Sequence, residues 1–236
     1  MEAALVEAVR SGDRQALARA ITLIERGEPL GEFGCGPVAV VGVTGPPGAG
    51  KSTLITVLIE KIREKGETVA VLAVDPSSPL TGGAILGDRI RMQTHIDDDG
   101  VFVRSMATRG RLGGLADASS EAIRLMSVAG FDRLIVETVG VGQSEVEIMD
   151  LADPVVLVVG PSWGDQIQAD KAGVVEIADL FVVNKGDRSG ASDVKRALTE
   201  VAEARGAEVL VTIATTGDGV DELLAAIERL GALADT

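Results

Sequence analysis

Cysteine and histidine each occur once among the 236 residues, as Cys35 and His95, and tyrosine does not occur at all. A single cysteine cannot close an intramolecular disulfide. One cysteine and one histidine cannot build a zinc cluster, so neither a disulfide scaffold nor a Cys/His metal centre is expected. A reducing cytoplasm is the natural compartment. Basic charge is also scarce. Against 36 Asp and Glu there are 22 Lys and Arg, a net charge of -14, whose field repels polyphosphate and argues against general binding to nucleic acid or an anionic membrane. No apolar run reaches the roughly 18 residues of a membrane span. The acidic, amphipathic start with Glu2 and Glu7 is unlike a signal or transit peptide. Any phosphate ligand must therefore be held by local features.

What is abundant is small and aliphatic: 46% hydrophobic residues and 29 glycines, with only 2% aromatics. That balance suits a layered α/β fold with compact turns, and the length suffices to bury a sheet on both faces. In the first 26 residues, Leu5, Val6 and Val9, then Leu17, Ile21 and Ile24, recur at helical spacing around a break at Ser11-Gly12-Asp13, which predicts a short helical hairpin. Four glycines and two prolines between 27 and 37 make a linker, dividing the chain into an extension at 1–37 and a body at 38–236. In the body, apolar β-branched runs at 38–43, 69–74, 101–103, 134–136, 155–159, 180–183 and 208–213 alternate with helical segments at 52–65, 119–129, 166–178, 192–205 and 219–231. Runs that are apolar throughout predict strands covered on both faces, hence a mostly parallel sheet flanked by helices.

Gly45-Pro-Pro-Gly-Ala-Gly-Lys-Ser52 follows the first of these strands and opens a helix near Thr53, the context that the P-loop (Walker A) pattern requires. Its glycines let backbone N–H groups curl toward phosphate, Lys51 brings charge to the β and γ phosphates, and Ser52 offers a hydroxyl to Mg2+. Gly45, Pro47, Gly48, Ala49, Gly50, Lys51, Ser52 and Thr53 are the phosphate-contact candidates. Asp75 and Glu137 each end an apolar strand, where ligands of open α/β sheets bind, so both are candidates for holding the metal. Gly140 could present its N–H to a γ phosphate. Late in the chain, Asn184-Lys185-Gly186-Asp187 follows another strand. The Asp187 carboxylate can accept from guanine N1–H and from the exocyclic amine, a pattern that adenine does not offer.

Longer strings carry a resemblance. Val74-Asp-Pro-Ser-Ser-Pro-Leu-Thr-Gly-Gly-Ala-Ile-Leu-Gly-Asp-Arg89, Arg104-Ser-Met-Ala-Thr-Arg-Gly110, Val136-Glu-Thr-Val-Gly-Val-Gly-Gln-Ser-Glu-Val146 and Gly164-Asp-Gln-Ile-Gln168 closely resemble the MeaB/ArgK-type GTPases, from residue 2 to about 230. The resemblance implies a P-loop NTPase fold of the SIMIBI class. It also implies a GTP-hydrolysing chaperone that gates cofactor loading and protects a cobalamin-dependent acyl-CoA mutase, methylmalonyl-CoA mutase being the best known. Asp75, Asp88 and Glu137 resemble the acidic residues around Mg2+ and the switch loops. Gln168 and Lys171 resemble the third switch, whose lysine assists hydrolysis. Glu137, Gln143 and Lys171 all stay open as the residue that orients water. At the second base-contact motif, Ile213-Ala214 stands where Ser-Ala is usual, so only the Ala214 backbone contact carries over. Members of the family continue into a C-terminal arm that builds a homodimer, and these 236 residues stop short of it, leaving a homodimer by another route open.

Two other readings share the P-loop. A metallochaperone for metal insertion would need Cys/His ligands that are scarce here, and a transport-associated ATPase or kinase would leave the Asn184 motif without a purpose. Trp163 suits either an exposed partner contact or a buried anchor. His95, followed by three aspartates, is expected in a solvated loop.

Overall fold

The computed structural model describes residues 2–75, 98–107, 114–138, 149–163 and 174–234. Two helices, α1 (Glu2–Arg10) and α2 (Arg14–Glu25), open the chain as the predicted hairpin. Asp13 sets the start of the second: its Oδ1 accepts from the backbone N–H of Gln15 at 2.9 Å and of Ala16 at 3.0 Å, satisfying two donors that a helix start leaves without partners.

The body then alternates: β1 (Val40–Thr44), α3 (Lys51–Glu64), β2 (Val69–Asp75), β3 (Val101–Ala107), α4 (Gly114–Ser127), β4 (Arg133–Thr138), β5 (Val155–Val159), a 3-10 turn (Pro161–Trp163), α5 (Val174–Ile177), β6 (Leu180–Asn184), α6 (Ala191–Glu203), β7 (Glu208–Thr212) and α7 (Val220–Ala234). The seven strands form one sheet in the order β3-β2-β4-β1-β5-β6-β7, and every neighbouring pair is parallel. All seven apolar runs are strands, as their unbroken hydrophobicity implied.

Strand alternation sorts the core. Val41, Val43, Ile135, Val156 and Leu180 face α3 and α7. Leu72, Val74, Leu134 and Val136 face the opposite way, into one cluster with Leu17, Ala20, Ile21 and Ile24 of the hairpin and Leu125 of α4. Each such side chain removed from water contributes about 1.5–3 kcal/mol. The glycine-rich stretch after α2 joins the same cluster through buried Leu30 and Phe33.

Two boundaries differ most from expectation. β3 continues four residues beyond the apolar run, to Ala107, because its backbone stays paired with β2 through Asp75↔Ala107. One end of the Arg104 guanidinium is held by the hairpin, its Nη2 donating to Glu25 Oε2 at 2.6 Å and to Thr22 Oγ1 at 3.0 Å. α4 starts at Gly114, ahead of the expected 119. Of the segment expected to be helical at 166–178, Val174–Ile177 is helical and 166–173 lies outside the described residues.

One edge contact is sensitive to acid. Asp132 Oδ2 accepts from Thr68 N at 2.7 Å and from Thr68 Oγ1 at 2.8 Å, and these bonds, the backbone one foremost, hold its carboxyl below the usual range. A depressed folded-state pKa makes this contribution full above the unfolded value of about 3.9, to be lost as pH falls through the folded value. Asp132→Asn is therefore expected to lower the melting temperature at neutral pH, with the gap from wild type closing below about pH 4; thermal unfolding at both pH values checks it.

Candidate functional site

At the carboxyl end of the sheet, β1 runs directly into a loop and the loop into α3. Gly50 caps that helix with φ 93° and brings no capping side chain of its own, and the positive end of the α3 dipole points into the loop, where an anion is favoured. Gly45 takes φ 139°, and a Cβ there would run into the carbonyl of Val158. Only glycine suits both places. Lys51 and Ser52 open the helix and are almost wholly buried. The ammonium of Lys51 donates to Gly45 O at 2.7 Å and Pro46 O at 3.1 Å, wrapping back over its own loop.

Ser52 and Glu137 meet here although 85 residues apart. Ser52 Oγ donates to Glu137 Oε1 at 2.8 Å, and Glu137 is only 1% exposed. β4 places this carboxylate because it lies beside β1 in register Val43↔Glu137. Asp75 ends β2, the neighbour of β4 on the other side.

The base-site residues are tied to the same loop. Asn184 closes β6, is 2% exposed, and bonds inward. Its Nδ2 donates to Ala49 O at 3.0 Å and more weakly to Gly50 O at 3.4 Å, while its Oδ1 accepts from Ala214 N and from Thr212 Oγ1, each at 3.1 Å. Asn184 is thus a joint between the phosphate loop, β6 and the turn after β7. Lys185 has φ 61°, rare for a residue with a side chain, and its Nζ donates to Gly48 O at 2.6 Å, laying its methylenes along the loop. A recess of about 80 Å3 opens beside them, lined by residues that include Gly50, Thr53, Asp187, Arg188 and Ala214. With Asp187 exposed on its wall and Lys185 methylenes at its side, the recess suits a flat base with paired donors. A groove of about 780 Å3 continues from it past Pro46, Pro47 and Gly48 to Pro161 and Trp163.

The structure brings together Gly45, Pro47, Gly48, Ala49, Gly50, Lys51, Ser52, Thr53, Glu137, Asn184, Lys185, Asp187 and Ala214. Asp88, Gly140, Gln143, Gln168, Lys171 and His95 lie outside the described residues. Trp163 resolves as a buried anchor, packed with Phe181, Val194 and Leu198. Sequence reasoning missed Thr212, whose hydroxyl bonds Asn184; its only signal was a hydroxyl closing an otherwise apolar run. Among the described residues no helix is long and apolar enough to cross a membrane.

A parallel sheet with a glycine-capped P-loop helix and a base recess behind it defines a P-loop GTPase. The family described as Methylmalonyl Co-A mutase-associated GTPase MeaB matches residues 4–235, and the chain belongs to it. A GTPase of Pyrococcus horikoshii is 50% identical over 235 residues, covering 93% of this chain and 74% of that protein. GTPase ArgK of Escherichia coli is 42% identical over 200 residues, 79% of this chain and 60% of ArgK. The crystal structure of an LAO/AO transport system kinase superposes with a TM-score of 0.75 at 31% identity, covering 99% of this chain and 76% of that one. The chain is accordingly a GTPase that binds guanine nucleotide.

Proposed function

We propose that this GTPase hydrolyses Mg-GTP as a chaperone of a cobalamin-dependent acyl-CoA mutase of the methylmalonyl-CoA mutase type, gating cofactor loading and protecting the loaded enzyme. The match of residues 4–235 to the mutase-associated family carries the partner half of this reading. For the chemistry, the support is the buried Ser52–Glu137 pair at the mouth of the phosphate loop.

The donor set fits magnesium: a hydroxyl and carboxylates, all hard oxygens, on Ser52, Asp75, Asp88 and Glu137. Bound there, the ion would neutralise charge on the β and γ phosphate oxygens. The chain's own residues do the rest. Lys51 turns from its carbonyls to the phosphates, the first N–H groups of α3 donate to the phosphate oxygens, and Asn184, Lys185 and Asp187 hold the base. Lys171 supplies positive charge to the transition state from within the chain, with Gln168 beside it in sequence, and Glu137 or Gln143 orients the water. Gly140 gives its N–H to the γ phosphate.

Affinity capture from the native cell extract, with the protein locked by a nonhydrolysable GTP analogue, tests the partner. Recovery of a cobalamin-dependent acyl-CoA mutase, reduced when GDP is used, is the expected result. Recovery of a nickel enzyme in its place would overturn the reading.

A further inference from the structure

Thr44 and Thr138 end β1 and β4, and neither has a place in the nucleotide site described above. Both are fully buried. Thr138 Oγ1 donates to Thr44 Oγ1 at 2.9 Å, joining positions 94 residues apart. Buried hydroxyls are costly unless bonded, and valine would fill the same β-branched space, as it does at 41, 43 and 136.

The position of this bond is what matters. The β1–β4 ladder ends at Val43↔Glu137, so Thr44 and Thr138 are the next pair along, just where one chain becomes the phosphate loop. Strand alternation sends Glu137 to the face of α3, where it meets Ser52, and Thr138 to the opposite face, shared by the hairpin and α4. Consecutive residues at the tip of β4 are therefore held from both faces, Glu137 by Ser52 of the P-loop at 2.8 Å and Thr138 by Thr44, the last residue of β1 before that loop, at 2.9 Å. A strand tip held on one face can still pivot about that contact. Held on two, it cannot.

We propose that Thr138 is a positioning residue for GTP hydrolysis: its hydroxyl, anchored on Thr44, fixes the tip of β4 against the phosphate loop and so fixes the Glu137 carboxylate at Ser52. The proposal rests on the reading of Ser52 and Glu137 as the metal-holding pair. Displacement of a reacting group by even a fraction of an ångström slows chemistry while leaving most binding contacts in place. The signature is thus a fall in kcat at constant nucleotide affinity.

The experiment measures steady-state GTP hydrolysis, GTP and GDP affinity and thermal unfolding for Thr138→Val, Thr138→Ser, the double variant Thr44→Val/Thr138→Val, and Glu137→Gln. Thr138→Val should lower kcat on the order of tenfold with affinity held within about twofold. Thr138→Ser, which keeps the hydroxyl, should restore turnover. The double variant replaces both hydroxyls by apolar groups of the same shape and so removes the link from both ends; it should stay slow, and it carries the test if the single variant does not fold. Wild-type kcat in Thr138→Val, failure of Thr138→Ser to rescue, or full recovery of turnover in the double variant would each overturn the proposal. Slow turnover in Glu137→Gln beside normal turnover in Thr138→Val would sink this proposal alone. Normal turnover in Glu137→Gln would remove the reading of Glu137 as well.

Discussion

Asp187→Asn is expected to weaken GTP binding on the order of 10²- to 10⁴-fold and to transfer the preference to xanthosine triphosphate. A carboxylate offers two acceptors to the two adjacent donors of guanine. An amide offers one acceptor and one donor, so its N–H₂ is set against the exocyclic amine, and a donor facing a donor loses more than the bond itself. Xanthine carries a carbonyl at that place and would meet the new donor. Asp187 stands exposed on the wall of the base recess and lends little to the core, so the fold should persist. Competition binding with GTP, ATP and xanthosine triphosphate on wild type and variant decides the matter. Unchanged GTP preference would remove Asp187 from base recognition.

Asn184→Ala should be the more damaging change, in both stability and binding. Asn184 is buried and joins three segments: the carbonyl of Ala49 in the phosphate loop, the hydroxyl of Thr212 and the N–H of Ala214. Removing the side chain leaves the Ala49 acceptor and the Ala214 donor without their partner, at about 1–3 kcal/mol for each buried group that finds no substitute. A fall in melting temperature of several degrees follows. Nucleotide affinity should drop on the order of 10²-fold or more, because the base recess and the phosphate loop would no longer be held in one geometry and part of the binding energy would be spent on ordering them. Thermal unfolding with and without GDP measures both effects. Equal stabilisation of wild type and variant by GDP would show that the joint is dispensable. Gly50 belongs to the same joint. A Cβ there would run into Asn184 Nδ2, so the P-loop glycine is needed for this contact as well as for its φ.

These two residues differ in how far they could be understood from the linear chain. The base-reading role proposed for Asp187 comes from its spacing to Asn184 and from the chemistry of guanine, since such a role is to face a ligand. Asn184 could be placed at the base site, yet its actual bonds go to Ala49, Thr212 and Ala214, none of which is near it in sequence. The same division holds for Ser52 and Glu137. Glu137 was expected at the carboxyl end of a strand and Ser52 at the opening of the P-loop helix, but their 2.8 Å contact depends on β4 lying next to β1. The strand order had no local signature, because apolar runs of this kind are interchangeable as partners. Trp163 was undecided for a related reason: an indole suits a surface or a core equally, and only the packing of α6 over the turn settles it.

By itself the sequence determined what local chemistry and periodicity determine: the seven strands, the glycines of the phosphate loop, Lys51 and Ser52 at the start of a helix, and the donor pattern that Asp187 can read. These depend on neighbours within a few residues, where backbone preference and side-chain type act directly. The tertiary structure alone decided the order β3-β2-β4-β1-β5-β6-β7, the ties of β4 to Ser52 and Thr44, the extension of β3 along β2 to Ala107, and the wiring of Asn184. Each of those rests on contacts between residues far apart in the chain, whose partners are chosen by which faces the whole fold buries together.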